Sequence, residues 1–179
     1  MRTEIRISGF GGQGVALAGY IIGKAASLYQ GLEAAMTQAH GPEARGGASS
    51  SDIVIADGPI DYPFVQQADI LVTLSQEAYT RFRPDARPEA MLIVDAGLVT
   101  PFSDDRPLII PATQLAEEMG RRIVANVVML GYFTAVTGLL QRQAVEKAIE
   151  TSVRPNSLSL NLEAFSVGYE YASVREHSG

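Results

Sequence analysis

The sequence has no cysteine and no tryptophan, and only two histidines and two lysines among its 179 residues. Without cysteine the chain forms no disulfide and offers no thiolate nucleophile. It also supplies no sulfur ligand to zinc or to an iron–sulfur cluster. His40 and His177 are too few for a histidine-based metal site or a Ser–His–Asp set. Neither a Gly-x-Ser-x-Gly elbow nor a Gly-x-x-x-x-Gly-Lys-Ser/Thr loop occurs, which excludes an α/β-hydrolase nucleophile and a P-loop NTPase. Basic residues are outnumbered 14 to 20 and the net charge is −6, so no open surface for nucleic acid is expected. The opening "MRTEIRIS" alternates polar and apolar at once, without a leader-like apolar stretch, and implies a cytoplasmic chain. Long apolar runs are scarce too. The one candidate, 123–141 ("IVANVVMLGYFTAVTGLLQ"), carries no charge but is broken by Asn126, Thr134, Thr137 and Gln141. It reads as a core or subunit-interface helix rather than a membrane span, which needs about 20 apolar residues.

What is present reads as one α/β domain over 1–151 followed by a C-terminal helical extension over 152–179. Alternation or continuous apolar character predicts strands at 4–8, 32–38, 50–56, 68–74, 90–97 and 107–112. Helical patterns fall at 14–29, over "EAYTRF", over "QLAEEMG" with Thr113 as N-cap, from about Asn126, and over "RQAVEKAI". A last helix near 157–173 aligns Leu158, Leu162, Phe165, Tyr169 and Ala172 on one stripe, after a hinge at "SVRPNS" (152–157). Strands alternating with helices give a three-layer domain with a mostly parallel sheet and a Rossmann-like start.

Ligands of open α/β sheets collect beyond the carboxyl ends of the strands. The first loop there is Gly9–Phe10–Gly11–Gly12–Gln13–Gly14, whose glycines let the backbone approach a ligand and whose following helix start attracts an anion. The same glycines also suit close helix–strand packing, which the small stripe Ala16, Gly19, Gly23 and Ala26 favours. A dinucleotide site needs an acid at the end of the second strand; Glu33 stands at its beginning, which speaks against NAD(P) or flavin. The second loop, "HGPEARGGASSSD" (40–52), places Arg45 beside Gly46 and Gly47, a planar cation with space around it for a phosphate or carboxylate. Gln76 at a strand end and Asn126 at the apolar helix complete the candidate contacts; Asn126 reads equally as an N-cap. Asp95 reads as structural. No constellation of acids, bases or nucleophiles stands out as a reaction centre.

The ordered motifs "GFGGQGV", "GPEARGG", "PATQLAEEMG" and "ANVVMLG" resemble the gamma subunit of 2-oxoacid:ferredoxin oxidoreductases, of the 2-oxoglutarate, ketoisovalerate or pyruvate type, over roughly residues 4–150. Two positions depart from the common pattern, Ala44 for methionine and His40 for an aromatic residue. The resemblance implies a non-catalytic-centre subunit. Such an enzyme converts a 2-oxoacid, here 2-oxoglutarate, and coenzyme A into acyl-CoA and CO2 while reducing ferredoxin. Thiamine diphosphate with its magnesium and the iron–sulfur clusters would sit on alpha and beta partners, coenzyme A on this chain, and a gamma–gamma contact is possible in such a complex. The glycine loop, Arg45–Gly47, Gln76 and Asn126 would be its contacts. The alternatives are a stand-alone dinucleotide-binding oxidoreductase and an adaptor whose glycines serve packing alone.

Overall fold

The computed structural model describes residues 1–39 and 47–176. Strand β1 (Arg2–Phe10) leads through a glycine loop into helix α1 (Val15–Tyr29). The chain continues through β2 (Glu33–Ala39), β3 (Ala48–Ala56) and β4 (Ala68–Thr73) to a short helix α2 (Gln76–Phe82). Then follow β5 (Ala86–Asp95), β6 (Leu108–Ile110), α3 (Ala112–Glu118), α4 (Ala125–Thr137), α5 (Arg142–Glu150) and α6 (Leu158–Glu176).

The six strands form one sheet in the order β2-β3-β1-β4-β5-β6. The ladders β1–β4, β4–β5 and β5–β6 are parallel, whereas β3 runs antiparallel to both β1 and β2. The sheet is therefore mixed and mostly parallel. Its Rossmann-like start is confined to β1, the loop and α1.

Side-chain alternation along the strands assigns the two faces. Ile5 and Ile7 of β1, Ile53 and Ile55 of β3, and Val72 of β4 share the main core with α1, α3, α4, α5 and α6. The opposite face is covered by α2, whose Ala78 and Phe82 pack on Leu71 and Leu92. On that face Arg6 and Asp52 form a bidentate ion pair at 2.8 and 2.7 Å, and the Arg6 guanidinium lies 5.0 Å from the Phe82 ring centre. The neighbouring carboxylate holds the Arg6 pKa above its ordinary value against the opposing effect of burial.

Helix α4 is apolar nearly all round because it is enclosed on both sides. Val127, Leu130 and Phe133 belong to the core beneath the sheet, while α6 crosses its outer side, with Gly131 and Gly168 at the crossing. A β-carbon on Gly168 would strike the Val128 carbonyl oxygen, and one on Gly131 the Phe165 carbonyl oxygen. The apolar run is thus a core helix, and among the described residues no helix is long and apolar enough to cross a membrane.

The cap expected at Thr113 is corrected, and of the two readings of Asn126 the cap is removed. Helix α3 starts one residue before Thr113, with Pro111 in the cap position and no side-chain cap. The Thr113 hydroxyl instead donates to Asp95 Oδ2 at 2.7 Å, and the Thr113 N–H to the same oxygen at 3.0 Å. A buried carboxylate at the strand end therefore takes the donors that a local cap would have served. Asn126 is likewise not a cap, since Val124 precedes α4 and Asn126 lies inside it.

Candidate nucleotide cleft

The site grows from the end of β1. Gly12 and Gly14 take φ of 90° and 75°, values that L side chains rarely adopt. Gln13 pins the loop from within. Its Oε1 accepts from Phe10 N–H at 2.6 Å, and its Nε2 donates to the Leu74 carbonyl of the neighbouring strand end at 2.9 Å. Gly9 lies directly beneath this staple: a β-carbon there would displace Gln13 Oε1, 2.5 Å away, and crowd Leu74 and Val15 at 3.2 Å. Gly14 faces Asn126, whose Nδ2 donates to the Gly14 carbonyl at 3.1 Å. The loop is thus held by β4 on one side and by α4 on the other.

Gly14 occupies the N-cap position of α1 and lends no side chain to it. Among the described residues the N–H groups of Val15, Ala16 and Leu17 find no acceptor, as expected of a helix's first turn. These amides, with Gly11 and Gly12, open into a cleft of about 640 Å3. Its walls are the turn at 121–126, the connection after α5, with Val153, and the first turn of α6, with Leu160 and Asn161. A smaller cleft of about 260 Å3 adjoins it, lined by Gln13, Leu74, Thr113, Arg122 and Ala125; Gly12 and Ile123 line both.

Of the residues singled out in the sequence, Gly11, Gly12, Gly14 and Asn126 line the larger cleft and Gln13 the smaller. Gly9 lies behind them. Gln76 is at the end of β4 but directs its amide elsewhere, accepting from Thr100 N–H at 2.6 Å and donating to Thr80 at 3.3 Å. Gly47 immediately precedes β3. Arg45 and Gly46 lie outside the described residues. Glu33 pairs with Ala56, itself opposite Arg2, and so stands at the far end of the sheet from the glycine loop. That placement removes it as a ribose partner. Asp95 is fully buried and accepts from Gly97 and Thr113, a structural role.

The residues missed from the sequence are Arg121 and Arg154. Both line the larger cleft, and among the described residues neither side chain makes an ion pair or hydrogen bond. Arg154 sits in the segment read as a hinge, and the only signal for it was the scarcity of lysine. Arg122, by contrast, approaches Glu117 at 3.6 Å. The site therefore supplies bare amides, two uncommitted guanidiniums and an apolar wall. It can hold an extended anion with an apolar body.

Residues 4–171 match the pyruvate ferredoxin/flavodoxin oxidoreductase family. The chain is 51% identical over 177 residues to the 2-oxoglutarate synthase subunit KorC of Methanocaldococcus jannaschii, covering 96% of this chain and 95% of the relative. Its fold superposes on the gamma subunit of a keto/oxoacid ferredoxin oxidoreductase from Geobacter sulfurreducens with a TM-score of 0.88 and 41% identity, covering 97% and 98% of the two chains. A 2-oxoglutarate:ferredoxin oxidoreductase from Magnetococcus marinus, solved with 2-oxoglutarate, coenzyme A and succinyl-CoA bound, shares the fold at a TM-score of 0.84 and 22% identity. That match spans 97% of this chain and 31% of the other, so in that enzyme the fold is one part of a longer polypeptide. The whole of the described fold, glycine loop and α6 included, thus has its counterpart in one group of proteins, and the chain belongs to the pyruvate ferredoxin/flavodoxin oxidoreductase family, as a subunit of the gamma type in a multi-subunit 2-oxoacid oxidoreductase.

Proposed function

We propose that this chain binds coenzyme A for a cytoplasmic 2-oxoglutarate:ferredoxin oxidoreductase. In that reaction 2-oxoglutarate, coenzyme A and two oxidised ferredoxins give succinyl-CoA, CO2, a proton and two reduced ferredoxins. The alpha and beta subunits carry the thiamine diphosphate, magnesium and iron–sulfur clusters; a chain without cysteine has no thiolates for such clusters. The observation that carries the reading is a set of amides, at Gly11, Gly12 and Val15–Leu17, that have no acceptor among the described residues and belong to residues lining a cleft large enough for a nucleotide. The choice of 2-oxoglutarate is supported by the name of the 51%-identical relative. Arg45 takes a second anionic group of the same ligand, a role argued from its place between glycines in the sequence.

Titrating the purified complex with coenzyme A tests this, with the Arg45→Ala complex alongside. Micromolar binding that weakens about ten-fold or more in the variant is expected for a lost charge-assisted phosphate contact. Unchanged binding removes Arg45 from the site. Absence of any binding favours the adaptor reading, in which the glycines only allow close packing.

A further inference from the structure

We infer that the ligand crosses the glycine loop in one direction: its anionic nucleotide end lies in the larger cleft between Arg121 and Arg154, and its neutral arm passes over Gly12 into the smaller cleft. The inference rests on the coenzyme A reading and adds to it a polarity and two recognition residues.

Three observations set the direction. The first is charge. The larger cleft has two arginines free of partners among the described residues, whereas the only cation of the smaller cleft, Arg122, leans on Glu117 at 3.6 Å. A phosphate group is drawn to the uncommitted pair, and a guanidinium meets it with two parallel N–H donors.

The second is the supply of acceptors. Asn126 and Asn161 are 4% and 7% exposed, and both line the larger cleft. Each spends its Nδ2 on a main-chain carbonyl, of Gly14 and Ser157 respectively. Because those partners are carbonyls, the nitrogen must face them. Among the described residues each Oδ1 is then left without a protein donor, as an acceptor for the exocyclic amine of a purine. Val15, Leu17, Val153 and Leu160 beside them give such a ring an apolar wall.

The third is passage. A β-carbon on Gly12 would meet nothing within 4 Å, and Gly12 and Ile123 are shared by both clefts, so the way across is open. Beyond it, Leu74, Thr113 and Ala125 line a space suited to an uncharged amide-bearing chain.

The test uses the assembled complex and two probes, coenzyme A and adenosine 3′,5′-bisphosphate, the latter lacking the neutral arm. Arg121→Ala and Arg154→Ala, at exposed side chains, should each weaken both probes about ten-fold or more. Ala125→Phe, which fills the smaller cleft, should weaken coenzyme A by a similar factor and leave adenosine 3′,5′-bisphosphate within two-fold. Melting temperatures of all three complexes confirm that they are folded; should the Ala125→Phe complex fail to assemble, Ala125→Leu, a smaller plug at the same place, replaces it with the same pair of expectations: weaker coenzyme A and adenosine 3′,5′-bisphosphate within two-fold. The reverse pattern, with the bisphosphate lost on blocking the smaller cleft and kept in both arginine variants, overturns the polarity. Wild-type binding of coenzyme A that no variant disturbs overturns the assignment to these clefts while leaving the coenzyme A reading intact. No binding by the wild-type complex defeats that reading itself.

Discussion

At the scale of single residues, the glycines of the loop do different work, and substitution separates them. Gly14 combines a φ of 75° with the Asn126 side chain packed where a β-carbon would be, whereas Gly12, at 90°, has open space around it. Gly12→Ala should therefore cost only backbone strain, about 1–2 kcal/mol. Gly14→Ala adds a clash with a buried amide and should cost about 2–4 kcal/mol. In an Asn126→Ala background the clash disappears, so a double-mutant cycle by urea unfolding should return a coupling of about 1 kcal/mol or more between the two positions. Additive costs would mean that the amide does not press on Gly14. A second residue-scale expectation concerns Tyr79, which has no exposed surface and donates its phenol proton to Asp105 while accepting from the Phe102 N–H. Burial first, and the hydrogen bond to Asp105 second, raise its pKa above the ordinary 10.0. The unfolded chain then loses this proton before the native one does. The contribution is present below about pH 10 and fades as pH rises through the higher native value. Tyr79→Phe should be less stable at pH 7 by about 1–2 kcal/mol, and its urea midpoint should fall less steeply than the wild type's above about pH 10.

At the scale of elements, the crossing of α4 and α6 is sensitive to any added side chain. Both contacts at the crossing are main chain against glycine, so a side chain at Gly168 or Gly131 cannot be accommodated by a rotamer change. Gly168→Val should separate the helices and cost about 3 kcal/mol or more, seen as a lowered melting temperature and as faster proteolysis in the 152–157 connection. Gly23→Ala on α1, where a β-carbon meets nothing, should instead stabilise by about 0.5–1 kcal/mol. The same elements mark what was legible beforehand. β1, the loop and α1 were plain because local signals agree there: strand alternation, glycines at the turn, then a helical stripe. The α6 stripe through Leu162 and Phe165 was equally readable, and both pack on the core. The antiparallel course of β3 was not legible, because a strand's direction depends on the connection before it and the side-chain period is the same either way. The cap expected at Thr113, and the cap alternative for Asn126, give way for a related reason. Each side chain had a local use, and a partner distant in sequence, Asp95 or Gly14, took it instead. Arg154 is not legible in the sequence, because nothing local distinguishes a cleft-lining arginine from a solvated one.

At the scale of the whole molecule, the cleft joins segments that are far apart in the chain: the glycine loop at 11–17, the turn at 121–126 and the start of α6 at 152–161. A ligand that fills it acts as a clamp between the N-terminal strand–loop–helix unit and the C-terminal helix. Binding to the native state alone stabilises by RT ln(1 + [L]/Kd), about 2.7 kcal/mol at a hundred-fold excess over Kd, which for a domain of this size raises the melting temperature by about 5–11 °C. The distribution of that stabilisation distinguishes a clamp from a local contact. If the ligand is held by loop and α6 together, coenzyme A should slow amide hydrogen exchange at 11–17 and at 152–161 in parallel, with the same concentration dependence. Arg154→Ala should then reduce the protection of both segments at once, because a ligand that spans the two walls loses its hold on both when it binds more weakly. Protection confined to the glycine loop would mean that α6 is a bystander, and that the helix packs over α4 to complete the core rather than the site.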